Sequence, residues 1–383
     1  MYTFLPQPIL CFANSQNLQC KFDDDTKPFP PYAILSHTWG PEQEEISFQE
    51  LQGGQIKTGH GKYKFDQCCA QAARDGLSYA WIDTCCIDQT NSMDLGEAIN
   101  SMFKWYKDAT VCYAYLRDVD VDEDPLKPQS SFWKSRWFQR GWTLQELIVP
   151  AVVRFYDTSW NCLGQRRDLS PALVRITRIP RVFLLGIIPL HEASVAQRMS
   201  WAAGRVTKRK EDLAYCLLGM FGITMPVIYG EGSQAFIRLQ KEIVRHINDD
   251  SILAWNFSKV SSTIKVPMEA LSEGALASSP SSFVDSIHIV PSDPKSSPFG
   301  SLQTLCGGLL MRRRLYTDSF GQYFVVLQCH PDNQPGRVIG IPVLARSGGY
   351  DDYVRLHGHP SVLLPADIPL TQLEQRKRHT HSQ

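Results

Sequence analysis

The sequence has no excess of charge of either sign. Among its 383 residues, Lys and Arg together count 39 and Asp and Glu together count 39, so the formal net charge is zero. Nonspecific binding to nucleic acid depends on a basic electrostatic field. We therefore expect no nucleic-acid partner. The basic stretch RVTKRKEDLAY is too short to supply such a field, and we interpret it as a solvated entrance to a helix.

Targeting segments and long apolar runs are also lacking. The first twenty residues carry no positive charge, and their apolar core, PILCF, is shorter than that of a signal peptide. The most apolar run, VFLLGIIPL, is about half as long as a membrane-spanning helix and contains a proline. The sequence predicts no membrane span, and we expect a cytoplasmic protein.

The eleven cysteines lack the spacing of a metal site. They include adjacent pairs at positions 68–69 and 85–86, but none shows the C-x-x-C spacing that is typical of zinc ligands. Disulfides are not expected because nothing directs the chain to an oxidising compartment. We predict free, mostly buried thiols and no bound metal.

Common nucleophile and nucleotide-binding motifs are missing or incomplete. The chain has no G-x-S-x-G elbow and no P-loop. A looser dinucleotide motif, G-x-G-x-x-A, occurs at Gly230, Gly232 and Ala235, but it lacks a β-α-β context and more closely matches a helix N-terminus. Ser36 and His37 are adjacent, so an extended strand would point them to opposite faces and they would not share a proton.

Strand patterns alternate with helical patterns in the first 160 residues. We predict strands at 32–36, 79–83, 110–116 and 152–156. The segments KYKFDQCCAQAARDG and LGEAINSMFKWYKDA have apolar residues at helical spacing and separate the first three strands. This alternation predicts an α/β fold whose parallel sheet is flanked by helices.

The length predicts two or three packed units. We divide the chain into an α/β domain with an N-terminal extension, a mainly helical segment and a β-rich C-terminal unit with a disordered tail, at residues 1–160, 161–257 and 258–383. The runs GGLLMRRRLYTD, QYFVVLQCH and RVIGIPVLA predict a small antiparallel sheet in the last unit.

The carboxyl ends of the predicted parallel strands point to a site, because ligands bind there in such sheets. These ends and the segment QRGWTLQELIVP carry Ser36, His37, Trp39, Asp83, Cys85, Arg140, Trp142 and Glu146. Trp142 and Glu146 are four residues apart and would share one face of a helix. Glu146 is either an ordinary surface carboxylate or part of the site.

Four ordered motifs, YAILSHTWG, YAWIDTCCIDQ, EAINSMFKWYKDATVCYAYL and SRWFQRGWTLQELIVP, resemble the heterokaryon-incompatibility (HET) domain of filamentous fungi. The stretch from SVAQRMSWAAGR to FIRLQKEI looks like the segment that commonly follows it, so the resemblance covers roughly residues 32 to 255. The family is associated with non-self recognition and programmed cell death after fusion of unlike cells. HET domains are considered remote relatives of Toll/interleukin-receptor (TIR) domains, which implies a TIR- or flavodoxin-like parallel sheet.

The TIR likeness implies hydrolysis of NAD⁺, with NAD⁺ as substrate and no cofactor. RGWTLQEL is similar to the TIR pattern of Trp, three residues, then Glu, in which the Glu is required for NAD⁺ cleavage. Carried over, the catalytic carboxylate is Glu146. The implied substrate contacts are Ser36, His37, Trp39, Asp83, Cys85, Arg140 and Trp142. The likeness also implies a homo-oligomer when active, and a regulatory protein partner is compatible with it.

Two alternatives stay open. The first is a non-catalytic TIR-like module that oligomerises and signals by contact, since Trp and Arg dominate interface hot spots. The second is a nucleotide-binding oxidoreductase that uses Gly230 and Gly232.

Overall fold

The computed structural model describes residues 11–12, 30–120, 123–257, 272–292, 301–305, 308–345, 353–356 and 359–367. It divides into two compact units, the first formed by Met1–Leu190 with Arg205–Gly232 and the second by His191–Gly204 with Ser233–Gln383. The three-segment division made from the sequence stays a prediction. The predicted disordered tail lies outside the described residues.

The first unit is built on a six-stranded sheet. Its strands are β1 (Cys11–Phe12), β2 (Tyr32–His37), β3 (Tyr79–Trp81), β4 (Val111–Tyr115), β5 (Val153–Tyr156) and β6 (Cys162–Gln165), in the spatial order β1-β3-β2-β4-β5-β6. β2 pairs in parallel with β3 and β4, and β4 pairs in parallel with β5. This confirms the predicted parallel arrangement. The edge strands β1 and β6 are antiparallel, so the whole sheet is mixed.

The helices of the first unit flank this sheet. They are α1 (Phe48–Gly53), α2 (His60–Arg74), α3 (Asp83–Cys86), α4 (Ser92–Asp108), α5 (Ser131–Lys134), α6 (Thr143–Ile148), α7 (Ser170–Thr177), α8 (Arg181–Leu184), α10 (Asp212–Tyr215) and α11 (Leu218–Phe221), with 3₁₀ turns at Glu42–Glu44 and Arg136–Gln139. A further 3₁₀ turn, Leu190–Glu192, begins at the last residue of the segment Met1–Leu190. Three predictions need correction. The strand predicted at 79–83 ends at Trp81, and α3 begins at Asp83. The segment predicted as mainly helical from 161 contains β6. The apolar spacing of EDLAYCLLGMFG predicts one helix, but this segment forms two short helices.

Local sequence explains the main elements around the site. Every residue of β2 and β4 is buried, which accounts for their continuous apolar runs. α4 begins where the Asn91 side chain accepts hydrogen bonds from the first backbone N–H groups. Its inner face buries Tyr106 and Trp105, whose rings lie 5.9 and 5.5 Å from that of Trp81. This packing attaches the helix to the sheet at the carboxyl end of β3.

The second unit contains two longer helices and antiparallel sheets. The helices are α9 (Val195–Ala202) and α12 (Gln234–His246), and 3₁₀ turns occupy Asp250–Leu253 and Pro280–Phe283. The strands are β7 (Ser272–Glu273), β8 (Ile289–Pro291), β9 (Gln303–Leu305), β10 (Gly308–Leu310), β11 (Arg314–Thr317), β12 (Tyr323–Val326), β13 (Cys329–Pro331), β14 (Arg337–Ala345), β15 (Tyr353–Leu356) and β16 (Val362–Pro365). The largest sheet has the order β11-β12-β14-β15-β7, with β16 also on β14, and all its pairs are antiparallel. The predicted antiparallel β unit is confirmed.

Two further observations concern the part of the chain that the structure describes. None of its helices combines the length and the apolar character needed to cross a bilayer. None of the eight cysteines with described side chains forms a disulfide, and seven of them are buried while Cys162 is exposed.

Candidate functional site

The end of β2 directs two polar side chains to opposite sides of the strand. The Ser36 hydroxyl hydrogen-bonds the carboxylate of Glu146, on α6. The His37 ring lies instead beside Asp83, with 3.7 Å between Nδ1 and Oδ1. This divergence follows from the period-2 geometry of a strand. Ser36 and His37 therefore take part in two separate clusters.

The first cluster is a chain of hydrogen bonds that ends at Glu146. The indole Nε1 of Trp137 donates to Ser36 Oγ at 2.8 Å, and Ser36 Oγ donates to Glu146 Oε2. All three side chains are buried, and Glu146 is 5% exposed. The ring of Trp137 packs edge-on against Phe138 and Phe155, with centroids 5.1 and 5.6 Å away. These contacts fix the indole that orients Ser36.

The burial of Glu146 changes its acid–base behaviour. Removal from water raises the pKa of this carboxyl to about 7, because the charged form loses its hydration. The Ser36 hydrogen bond and the charge of Arg140 oppose this rise, and the charge of Asp83 adds to it. Both protonation states are therefore accessible near neutral pH, which is unusual for a glutamate.

The short helix α6 is fixed at its start by contacts from a distant segment. The buried guanidinium of Arg205 donates to the Arg140 carbonyl at 2.9 Å and to Thr143 Oγ1 at 3.1 Å. Backbone hydrogen bonds join Gly141 N–H to the carbonyl of Val206 and Val206 N–H to the chain before α6. Burial lowers the pKa of Arg205 to about 10. The interpretation of RVTKRKEDLAY as solvated is therefore wrong for Arg205, and its spacing carried no signal of this contact.

The second cluster, called the His37 cluster here, contains His37, Glu45, Lys64 and Asp83. His37 Nε2 lies 3.8 Å from Glu45 Oε2, which is ion-paired with the buried Lys64. Burial and the charge of Lys64 lower the pKa of His37, so the imidazole is neutral at neutral pH. Burial alone would raise the pKa of Glu45, but His37 and Lys64 hold it well below its usual range. Glu45 is therefore ionised beside a neutral imidazole.

Two candidate residues connect these clusters with solvent. Trp39 is 37% exposed, and its Nε1 donates to Asp83 Oδ2 at 2.7 Å. Arg140 is half-buried, donates from Nη1 to the His37 carbonyl at 3.1 Å, and places its guanidinium carbon 5.9 Å from the centre of the Trp39 ring. A cation at this distance from an indole is attracted to it. Trp39 and Arg140 therefore lie against each other next to the His37 cluster.

The two other predicted contacts have different partners. The half-buried Trp142 forms a side-chain hydrogen bond with Asp212. Burial raises the pKa of the Asp212 carboxyl, and hydrogen bonds from Tyr229 and Trp142 oppose this rise. The Cys85 thiol is fully buried and lies 3.7 Å from the carbonyl of Ile82. The structure thus brings Ser36 to Glu146 and joins His37, Trp39, Asp83 and Arg140 in neighbouring contacts. A substrate role for each of these residues stays a prediction.

The glycines of the G-x-G-x-x-A motif are engaged by a side chain of the chain itself. The N–H groups of Gly230 and Gly232 both donate to Glu211 Oε1, at 2.8 and 3.0 Å. Their φ angles of 101° and 58° lie in the region that favours glycine. A carboxylate already occupies the place that a phosphate would take, which disfavours the nucleotide-binding alternative.

Comparison with known proteins identifies parts of the chain. Residues 32–131 match the family described as Heterokaryon incompatibility protein (HET), and residues 234–303 match a family described as Domain of unknown function (DUF8212). The vegetative incompatibility protein HET-E-1 of Podospora anserina is 48% identical over 233 residues. This alignment covers 59% of the chain but 17% of that relative. No solved structure matched the chain.

Residues 32–131, called the HET segment here, are therefore similar to that family, as the motifs suggested. The family match includes Ser36, His37, Trp39 and Asp83 and ends before Glu146. The likeness to TIR domains stays a prediction.

Proposed function

We propose that this chain acts in fungal heterokaryon incompatibility, the non-self recognition that follows fusion of unlike cells, and that its first unit hydrolyses NAD⁺ to nicotinamide and an ADP-ribose product. The HET segment and the 48% identical incompatibility protein support the first part. Because the chain spans 17% of that relative's length, the chemistry is argued from the site itself. The observation that carries it is the buried Glu146 carboxylate, hydrogen-bonded by Ser36 at the carboxyl end of β2.

The order of the parallel strands supports a flavodoxin- and TIR-like site. Counted along the chain, β2, β3, β4 and β5 are the first to fourth parallel strands, and their spatial order is 2-1-3-4. The flavodoxin-like order begins in the same way, and its ligands bind where the first and third strands adjoin. Here those strands are β2 and β4, and Ser36 lies near the carboxyl end of β2.

The chemistry suits a single carboxylate. Hydrolysis breaks the bond between the nicotinamide nitrogen and ribose C1′, and the bonding electron pair leaves with neutral nicotinamide. The ribose develops positive charge in an oxocarbenium-like transition state, water adds to C1′, and one proton is released. An ionised Glu146 would stabilise that charge, and a water-poor setting strengthens the attraction. No general acid is required, because nicotinamide leaves uncharged.

Glu146 is buried in the isolated chain, so substrate entry requires local opening. Trp39 is exposed and Arg140 is half-buried, and their mutual contact is weak enough to be exchanged for contacts with a substrate ring and phosphate. We propose that association of chains favours the open form, which makes the active species a homo-oligomer.

The test compares wild type with Glu146→Gln at high protein concentration, and nicotinamide release is measured with NAD⁺ present. The substitution removes the charge and keeps the shape, so release should fall by about a hundredfold or more, as for other groups that stabilise charge in a transition state. Asp75→Asn is the matched control, because Asp75 is a partly buried carboxylate that hydrogen-bonds Tyr113 in the same unit and precedes β3. Equal release by wild type and Glu146→Gln would refute the catalytic role.

A second candidate function is a non-catalytic module that signals by oligomerisation. The 5% exposure of Glu146 favours it, because a catalytic group must reach its substrate. Assembly without nicotinamide release at any protein concentration would support this alternative.

A further inference from the structure

The indole N–H of Trp137 is a buried donor with one visible task. It donates to Ser36 Oγ, and Ser36 in turn donates to Glu146. We propose that Trp137 is a positioning residue that acts through Ser36 to keep Glu146 in its ionised, charge-stabilising form. The catalytic consequence rests on the proposed NAD⁺ hydrolysis, whereas the effect on the Glu146 carboxyl can be measured without it.

The donors and acceptors in the hydrogen bonds from Trp137 through Ser36 to Glu146 follow from the chemistry of these groups. An indole N–H can only donate a hydrogen bond, whereas a hydroxyl has one proton and two lone pairs. Because Trp137 takes up a lone pair of Ser36 Oγ, the Ser36 proton points elsewhere, and the Glu146 oxygen is the acceptor that it meets. Hydrogen bonding to the charged form of a carboxyl favours that form. Trp137 thereby opposes the tendency of burial to protonate Glu146.

The backbone of Trp137 reinforces this arrangement. Its carbonyl accepts a hydrogen bond from the Thr143 hydroxyl at 2.5 Å, and Thr143 is the first residue of α6, the helix that carries Glu146. Trp137 is therefore linked to α6 twice, once through its carbonyl and once through Ser36. A rigid double link keeps the donor, the hydroxyl and the carboxylate in register.

The experiment follows the titration of Glu146 by NMR of ¹³C-labelled glutamate carboxyls. The signal is assigned by its loss in Glu146→Gln. Trp137→Phe keeps an aromatic ring and removes the N–H, so the midpoint should move up by about one pH unit, the usual worth of a hydrogen bond to a charged group. The pH at which kcat for nicotinamide release rises should increase by the same amount. At a pH below this rise, kcat of Trp137→Phe should therefore be lower than that of wild type, with little change in KM.

Trp81→Phe is the matched control. Trp81 and Trp137 are both 0% exposed, and the indole Nε1 of Trp81 has no hydrogen-bond partner among the described residues. Trp81→Phe should therefore leave the Glu146 midpoint unchanged. An equal shift in the two variants would assign the effect to packing and overturn the proposal.

A double-mutant cycle tests whether Trp137 acts through Ser36. Ser36→Ala should raise the Glu146 midpoint by itself, and adding Trp137→Phe should then change it little. An undiminished effect of Trp137→Phe in the Ser36→Ala background would overturn the proposal. So would an unchanged midpoint in the Trp137→Phe single variant.

The test stays decisive if Trp137→Phe does not fold or if wild type releases no nicotinamide. If Trp137→Phe does not fold, benzothienylalanine at position 137 replaces the indole N–H by sulphur with almost the same shape. If wild type releases no nicotinamide but its Glu146 midpoint still responds to Trp137→Phe, the proposed hydrolysis fails and the positioning role stands.

Discussion

At the scale of single residues, Glu146 links function to stability. Its pKa is about 7 in the folded chain against an ordinary 4.5, because burial disfavours the charged form. The folded state therefore holds this proton more tightly than the unfolded state does. The resulting stabilisation is complete below the unfolded pKa and is lost as pH rises through the folded pKa.

The stability of wild type relative to Glu146→Gln should therefore depend on pH. The variant is neutral at every pH, so it should be more stable than wild type by about 3 kcal/mol at pH 8 and nearly equal to it below pH 4.5. Urea unfolding of both proteins across this range measures the difference. A difference that does not vary with pH would show that the carboxyl is not held in its protonated form.

Asp75→Asn is a control, because it should change stability at pH 8 in the direction opposite to Glu146→Gln. Burial alone would raise the pKa of Asp75, but hydrogen bonds from Tyr113 and Arg154 give a net lowering. Its ionised form therefore stabilises the folded state above the unfolded pKa. Asp75→Asn should lose stability at pH 8, where Glu146→Gln gains it.

Some residues of the site could be placed from the sequence and others could not. Ser36 and Asp83 are the last residues of two predicted strands, and parallel strands bring their carboxyl ends together. Trp137 and Ser36 are 101 residues apart, and their hydrogen bond depends on a rotamer and a turn that no spacing encodes. The contact of Arg205 with the start of α6 could not be predicted for the same reason, and the charge of its segment suggested exposure.

At the scale of elements, the sequence was informative where burial was complete. The apolar runs of β2 and β4 have every residue buried, and both were predicted. The strands of the first unit that were missed, β1 and β6, are short antiparallel edges whose pairing uses backbone groups and leaves little side-chain pattern. The predicted single helix in EDLAYCLLGMFG divides because α10 ends at Tyr215 and α11 begins at Leu218.

A glycine controls the approach of α11 to α4. A Cβ added at Gly219 would lie 2.1 Å from Cβ of Phe103, on α4, which no real contact allows. Gly219→Ala should therefore cost about 1–3 kcal/mol of unfolding free energy through overpacking. Gly96→Ala, inside α4 with open space around the new Cβ, should instead stabilise by up to about 1 kcal/mol. Urea unfolding of both variants separates helix propensity from packing, and equal effects would contradict this packing argument.

At the scale of the whole molecule, the chain passes between its two units three times, after Leu190, Gly204 and Gly232. The returning segment that begins at Arg205 completes the first unit and fixes the start of α6. No composition change marks these crossings, so a linear division of the sequence could not find them. The residues that support Glu146 therefore come from both parts of the first unit.

The balance of charge over the whole chain makes association a testable requirement. With 39 basic and 39 acidic residues, two copies experience no net repulsion, so assembly should not be opposed at neutral pH. We expect nicotinamide release per chain to rise with protein concentration, because we propose that association opens the site. Catalytically inactive Glu146→Gln chains, added to dilute wild type, should restore release by acting as assembly partners, whereas the same mass of an unrelated protein should not. Release per chain that stays constant on dilution would show that one chain suffices. Substrate binding, and not association of chains, would then have to open the Glu146 site.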